Sequence, residues 1–253
     1  MRILITNDDG IYAPGILALR RELLPLGEVT VIAPERPRSA SGHSITLHKP
    51  LRIDHVALPG GGEGYASNGT PSDCVTLGLD VLLGGKADLV LSGINQGANL
   101  GFDLTYSGTV SAAMEGAILG LPSIAISVAG NNPSDEFGAA ARFARRLVEA
   151  VAAKGMDRWT LLNVNVPALP EDRIRGVRIT RQGRTQYTDR FDARTDPWGK
   201  PYYWFCGTLD EEGSDAGSDL HAISEGWVSV TPIRLDMTAE GMLDRMRTWG
   251  LSL

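Results

Sequence analysis

RILITNDDGIYAPG, residues 2–15, changes character within a few positions. Ile3, Leu4 and Ile5 form a short apolar run of the kind that makes a buried strand. The run stops at Thr6-Asn7-Asp8-Asp9-Gly10. PGILALRRELLPLG then spaces Ile16, Leu19, Leu23 and Leu24 as on one face of a helix, with Gly27 as its stop. Two adjacent carboxylates, Asp8 and Asp9, therefore stand where a strand gives way to a helix. Like charges repel, so the pair needs either open solvent or something positive to face.

The same alternation continues along the chain. VTVIAP (29–34) reads as a strand and PSDCVTLGLDVLLGG (71–85) as a helix with Pro71 in its first turn. DLVLSGIN (88–95) is a strand that breaks into a glycine-rich loop. A small-residue helix (107–120), a strand (121–130), a long amphipathic helix (134–155) and the strand TLLNVNVP (160–167) follow. This rhythm predicts an α/β fold, a mostly parallel sheet with helices on both faces. It fails after about residue 170. Residues 1–170 are therefore expected to form the core domain that carries the site. Residues 171–253 form a smaller segment with a projecting hairpin arm at about 185–210, built around TDPWGKPYYWF. GSDAGSDLHAISEG (213–226) reads as loop. GWVSVTPIRLD is a closing strand, and TAEGMLDRMRTW a closing helix capped by Thr238, both packing back on the core.

Composition narrows the function classes. The 253 residues are 43% hydrophobic and 21% charged, ordinary values for a folded domain, and the net charge of −6 argues against a general nucleic-acid binder. Cys74 and Cys206 are the only cysteines, without a CxxC or a His/Cys cluster, which points to reduced thiols in a cytoplasmic protein. The N-terminus lacks a signal-peptide apolar region. The most apolar stretch is broken by Glu115, Gly116, Gly120 and Pro122, so no membrane span is expected.

Ligands of open α/β sheets bind beyond the carboxyl ends of the strands. Three polar stretches follow expected strands: TNDDG, PERPRSASGHS (34–44) and SGINQGANLG (92–101). Turn and N-cap chemistry accounts for Asn-Asp-Asp-Gly. A hard divalent cation accounts for it as well, with Ser39, Ser41, Asn95 and Asn99 as neutral oxygen donors that suit Mg²⁺ or Mn²⁺ better than zinc. Ser107-Gly108-Thr109 begins a helix, which is either simple capping or a phosphate cradle. Fingerprints for dinucleotides, P-loops, GxSxG hydrolases and HExxH sites are missing. Of the four histidines, His43 is the best candidate for a site.

Taken together, ILITNDDGIYAPG, SASGHSIT, GTPSDCV, LVLSGINQGANLG, YSGTVSAAMEG and GWVSVTPIRLDMT resemble the SurE survival-protein phosphatases, in order and over nearly the whole chain. The resemblance implies a Rossmann-like core and a C-terminal hairpin exchanged between subunits in a homodimer or homotetramer. It implies one divalent metal ion per subunit on Asp8, Asp9, Ser39 and Asn95, with Ser41 as an alternative hydroxyl. It also implies a substrate-phosphate site at Asn95, Ser107, Gly108 and Thr109. The activity implied is hydrolysis of nucleoside monophosphates, a 5'- and possibly 3'-nucleotidase, by metal-activated water, with Asp8 or Asp9 as base, nucleophile or pure ligand. Two other classes share the same loops. A nucleotide-binding regulatory module would bind without turnover, and a metal-free serine hydrolase would ignore a chelator. The aromatic arm (Tyr202, Tyr203, Trp204, Phe205) either packs in a subunit interface or stacks a nucleobase.

Overall fold

The computed structural model describes residues 1–130, 137–188, 190–210 and 215–252. In chain order the first half comprises β1 (Arg2–Thr6), α1 (Pro14–Leu23), β2 (Glu28–Pro34), β3 (Ile53–Ala57), β4 (Glu63–Ser67), α2 (Pro71–Leu77), β5 (Leu89–Gln96), α3 (Gly108–Ile118), β6 (Ser123–Ala129), α4 (Gly138–Lys154) and β7 (Thr160–Pro167). The remainder comprises β8 (Val177–Ile179), β9 (Gln186–Thr188), β10 (Phe191–Thr195), β11 (Pro201–Phe205), β12 (Thr208–Asp210), α5 (Asp219–Ser224), β13 (Val228–Arg234) and α6 (Glu240–Arg247). One nine-stranded sheet runs in the order β3-β4-β2-β1-β5-β6-β7-β13-β8. Strands β4, β2, β1, β5, β6 and β7 are mutually parallel, while β3 and β13 pair antiparallel with their neighbours β4 and β7.

The opening strand shows why both faces must be covered. Ile3 and Ile5 pack with Ile16, Leu19 and Leu23 of α1 and with Ala140, Ala144 and Val148 of α4. Leu4, pointing the other way by the two-residue period of a strand, packs with Cys74 and Val75 of α2 and Ala112 of α3. The small residues of α3 allow it to lie close to the sheet: a Cβ on Gly116 would meet Ser123 Oγ at 2.5 Å and Val90 Cβ at 2.9 Å.

The sheet order also locates the cleft. From β1 the chain winds outward to β2, and later returns to the other side of β1 as β5. Neighbouring parallel strands whose connections diverge leave a crevice at their carboxyl ends. Here that crevice lies between β1 and β5, where Asp8, Asp9 and Asn95 stand.

Several expectations need correction. The expected helix at 71–85 is a regular α-helix only to Leu77, and Gly78–Leu82 is a π-helical turn. The edge hairpin β3–β4 was not anticipated; its alternation is interrupted by polar and glycine residues typical of a sheet edge. Part of the stretch read as loop at 213–226 forms α5, which Ser218 caps by accepting from His221 N; residues 213 and 214 lie outside the described residues. The closing helix α6 has no buried residue, and its N-cap is Ala239 rather than Thr238, whose N–H is taken by Asp236 Oδ1. The start of the long helix, 134–136, also lies outside the described residues. The arm is a two-stranded ribbon, β9 with β12 and β10 with β11, and among the described residues it pairs with no strand of the main sheet.

Gly15 sets how closely α1 approaches the cleft. A Cβ there would fall 2.0 Å from Ile94 O, a backbone atom that cannot swing aside. Gly15→Ala should therefore cost about 2–3 kcal/mol of stability, read as a lower urea midpoint; an unchanged midpoint would mean that the helix slides freely over β5.

Candidate active site

Asn7 closes the turn after β1. Its Nδ2 donates to Gly10 O (3.0 Å) and its Oδ1 accepts Gly10 N–H (3.1 Å), all fully buried. The two carboxylates that follow are left over for other work. Asp8 O accepts Arg38 N–H (2.7 Å), which ties the second polar loop to the first. The Asp8 side chain, only 5% exposed, lies against the N-terminus of α3. There the Thr109 hydroxyl donates to Oδ1, and the N–H groups of Gly108 and Thr109 also reach the carboxylate. Asp9 Oδ2 accepts Gln96 N–H at 3.4 Å, from the end of β5.

Electrostatics make this pair costly without a counter-charge. Burial raises the Asp8 carboxyl above the ordinary range, against the pull of its hydrogen bonds. Asp9 is pushed up to about 6, first by burial and then by the charge of Asp8, with the Gln96 N–H opposing. No ion pair to either carboxylate occurs among the described residues.

Gly108 is required by proximity. A Cβ there would fall 2.8 Å from Asp8 Cβ and 3.0 Å from Ser41 Oγ. Ser107 caps the helix, its Oγ accepting Val110 N–H at 3.1 Å. Asn95 Nδ2 donates to Gly97 O (2.8 Å), while its Oδ1 accepts no hydrogen bond among the described residues. Asp8, Ser107, Gly108 and Thr109 thus meet at the mouth of α3, while Asp9 turns to the end of β5, where it contacts Gln96, the neighbour of Asn95. Ser39 is exposed; the serine that lies against Gly108 is Ser41. His43 is held elsewhere, its Nε2 2.8 Å from Glu115 Oε2 well along α3.

The third loop is fixed by residues that the sequence reading passed over. Asn99 N donates to Asn165 Oδ1 (2.8 Å) and Asn99 Nδ2 to Ser127 Oγ (2.8 Å), and Asn99 O accepts from both Asn163 and Asn165. Buried Asp219 accepts the N–H groups of Gly101 (3.0 Å), Gly183 (2.8 Å) and Leu220 (2.8 Å). Thr185 Oγ1 accepts Phe102 N–H (2.9 Å), and the Tyr187 hydroxyl donates to Asp103. The legible signal was in TLLNVNVP, where two asparagines share one face of a strand flanked by apolar residues.

The donor set fits a hard divalent cation. Among the described residues no three His, Cys, Asp or Glu side chains converge. Any metal would therefore be held by two carboxylates completed by neutral oxygens, the donor chemistry of Mg²⁺ or Mn²⁺. Asn95 Oδ1, which accepts no hydrogen bond among the described residues, and the serine hydroxyls of the second loop are such oxygens.

Fold and rim together define a class: an open, doubly wound α/β protein with an oxygen-rich crevice at its switch point. The survival protein SurE family model matches residues 3–189. The 5'-nucleotidase SurE of Synechococcus sp. (strain JA-3-3Ab) is 49% identical over 256 residues, covering 100% of this chain and 98% of its own. The 5'-nucleotidase SurE of Moorella thermoacetica is 51% identical over 239 residues, 94% of this chain and 92% of its own. The crystal structure of the SurE protein from Aquifex aeolicus superposes with a TM-score of 0.87 at 44% identity, covering 98% of both chains. The chain belongs to the SurE survival-protein family.

The raised carboxyl of Asp9 fixes a sign. Between pH 4 and 6 the folded chain holds a proton on Asp9 that the unfolded chain has lost, so the metal-free protein loses stability as pH rises through that window. Asp9→Asn should flatten this fall and stabilise the metal-free protein at pH 7 by about 1–2 kcal/mol after solvent screening. Thermal melts with a chelator at pH 5 and pH 7 read the effect, and a destabilised Asp9→Asn would contradict the assignment.

Proposed function

We propose that the chain is a 5'-nucleotidase, a phosphoric monoester hydrolase that splits nucleoside monophosphates into nucleoside and phosphate. Its full-length kinship with SurE nucleotidases supports this reading. The observation that carries the chemistry is the Asp8–Asp9 couple, with Asp8 buried against the N-terminus of α3, Asp9 half-buried beside it, and no cationic side chain paired to either among the described residues.

Asp8, Asp9, Asn95 and one serine hydroxyl, Ser39 or Ser41, would hold one Mg²⁺ or Mn²⁺. A bound divalent cation supplies Lewis acidity and positive charge at this rim. Thr109 spends its hydroxyl proton on Asp8 and so orients that carboxylate. Among the described residues Asp9 receives a single backbone N–H, from Gln96, and is the carboxylate with an oxygen left to take a proton from the attacking water. Ser107 uses an oxygen lone pair for its cap, which leaves its O–H to donate to a phosphoryl oxygen, and the dipole of α3 favours that negative charge. Catalysis on such a site is positioning and electrostatics.

Phosphate release from AMP, GMP and an aryl phosphate, with and without chelator, tests the reading. Chelation should stop release, and Mn²⁺ or Mg²⁺ should restore it. Asp8→Asn should lower kcat by roughly 10³-fold or more with the fold kept. Wild-type turnover by Asp8→Asn in the presence of metal would overturn the assignment. Turnover that survives chelation would favour a serine hydrolase, and binding without release a regulatory module.

The chain acts as a homodimer or homotetramer joined through the arm, in a reducing, cytoplasmic setting. In support, the ribbon leaves large aromatics bare, Trp198 at 84% and Phe205 at 74% exposure, a surface that fits a second copy better than solvent. Neither Cys74 nor Cys206 forms a disulfide among the described residues, and no helix among them is long and apolar enough to cross a membrane.

A further inference from the structure

Ser41 sits between Ala40 and Gly42, both in the left-handed backbone region at φ 55°. Its loop is pinned on either side, by Arg38 N to Asp8 O (2.7 Å) and by Gly42 N to Tyr106 O (3.1 Å). The Ser41 hydroxyl is thereby carried to the mouth of α3, where the point 3.0 Å from its Oγ is also 2.9 Å from Asp8 Oδ2. Its oxygen is buried and has no hydrogen-bond partner among the described residues. A buried hydroxyl left unpaired is unfavourable, and a site that retains one gains when a ligand supplies the missing partner.

The neighbouring hydroxyls are already committed. Thr109 donates to Asp8, and Ser111 donates to Ser107 O at 2.6 Å. Among the described residues at this end of the helix, Ser107 and Ser41 keep an O–H that donates to no partner. The end of α3 carries positive partial charge, which favours an anionic oxygen over a cation as the partner of a hydroxyl placed there.

We propose that the Ser41 hydroxyl donates a hydrogen bond to a non-bridging oxygen of the substrate phosphoryl group, and to product phosphate, rather than serving as a metal ligand. The proposal rests on the nucleotidase reading, and it gives the second polar loop a direct part in recognising phosphate.

Ser41→Ala removes the donor and, because the hydroxyl is unpaired, should leave the melting temperature of the ligand-free protein unchanged or raised. Inorganic phosphate, titrated as an inhibitor and as a thermal stabiliser in the presence of Mn²⁺, should bind roughly ten-fold more weakly. Mn²⁺ affinity without phosphate, measured by calorimetry, should stay at the wild-type value. Unchanged phosphate affinity would overturn the proposal, and so would a parallel loss of Mn²⁺ affinity, which would assign the hydroxyl to the metal. A lowered melting temperature with unchanged phosphate binding would make Ser41 purely structural. If the wild-type protein binds phosphate but releases none from nucleoside monophosphates, it is the nucleotidase reading that fails, while the phosphate titration still decides the role of Ser41.

Discussion

The contact of the Asp8 carboxylate with the N-terminus of α3 organises this molecule. It needs β1 to end where it does, so that the turn closed by Asn7 delivers Asp8 to the rim. It needs a residue without a side chain at Gly108, and a helix of small residues that can lie against β5 and β6. It also draws in the second loop, because Asp8 uses its own backbone oxygen to hold Arg38. Three separate loops are brought into register by one buried acid.

This arrangement opposes folding and serves function. A carboxylate buried beside another carboxylate raises the free energy of the folded chain, and a partnerless hydroxyl adds to it. The surrounding sheet, with Ile3, Leu4, Ile5, Leu89 and Leu91 fully or almost fully buried, supplies the rigidity that keeps these groups in place. Strain and frustration gathered at one rim of an otherwise consistent fold are what an α/β enzyme needs in order to bind charge there.

Much of this was legible in the sequence. Alternating strands and helices through residue 167 follow from hydrophobic periodicity, which is a local signal. The rim position of Asp8, Asp9, Asn95 and 107–109 follows once the sheet is taken as parallel. Which of Ser39 and Ser41 lies against the N-terminus of α3 was not legible, because it depends on the path of a loop with two left-handed residues rather than on residue type. Nor was the role of Asp219, a polar residue in a polar stretch, whose partners lie far away in the chain. The edge hairpin β3–β4 was missed because edge strands lack a clean apolar pattern, and α5 because a short helix stabilised by a cap and one buried acid carries little periodicity.

The clasp of Asp219 on Gly101 spans 118 residues. A contact of that separation closes late, since long loops must be ordered before it contributes. The strands β1 to β7 can assemble as soon as they leave the ribosome, but the loop before α3 gains this anchor only after α5 has been made. Binding competence should therefore trail the formation of the sheet during synthesis, so that a nascent chain carries its acidic pair well before it can use it.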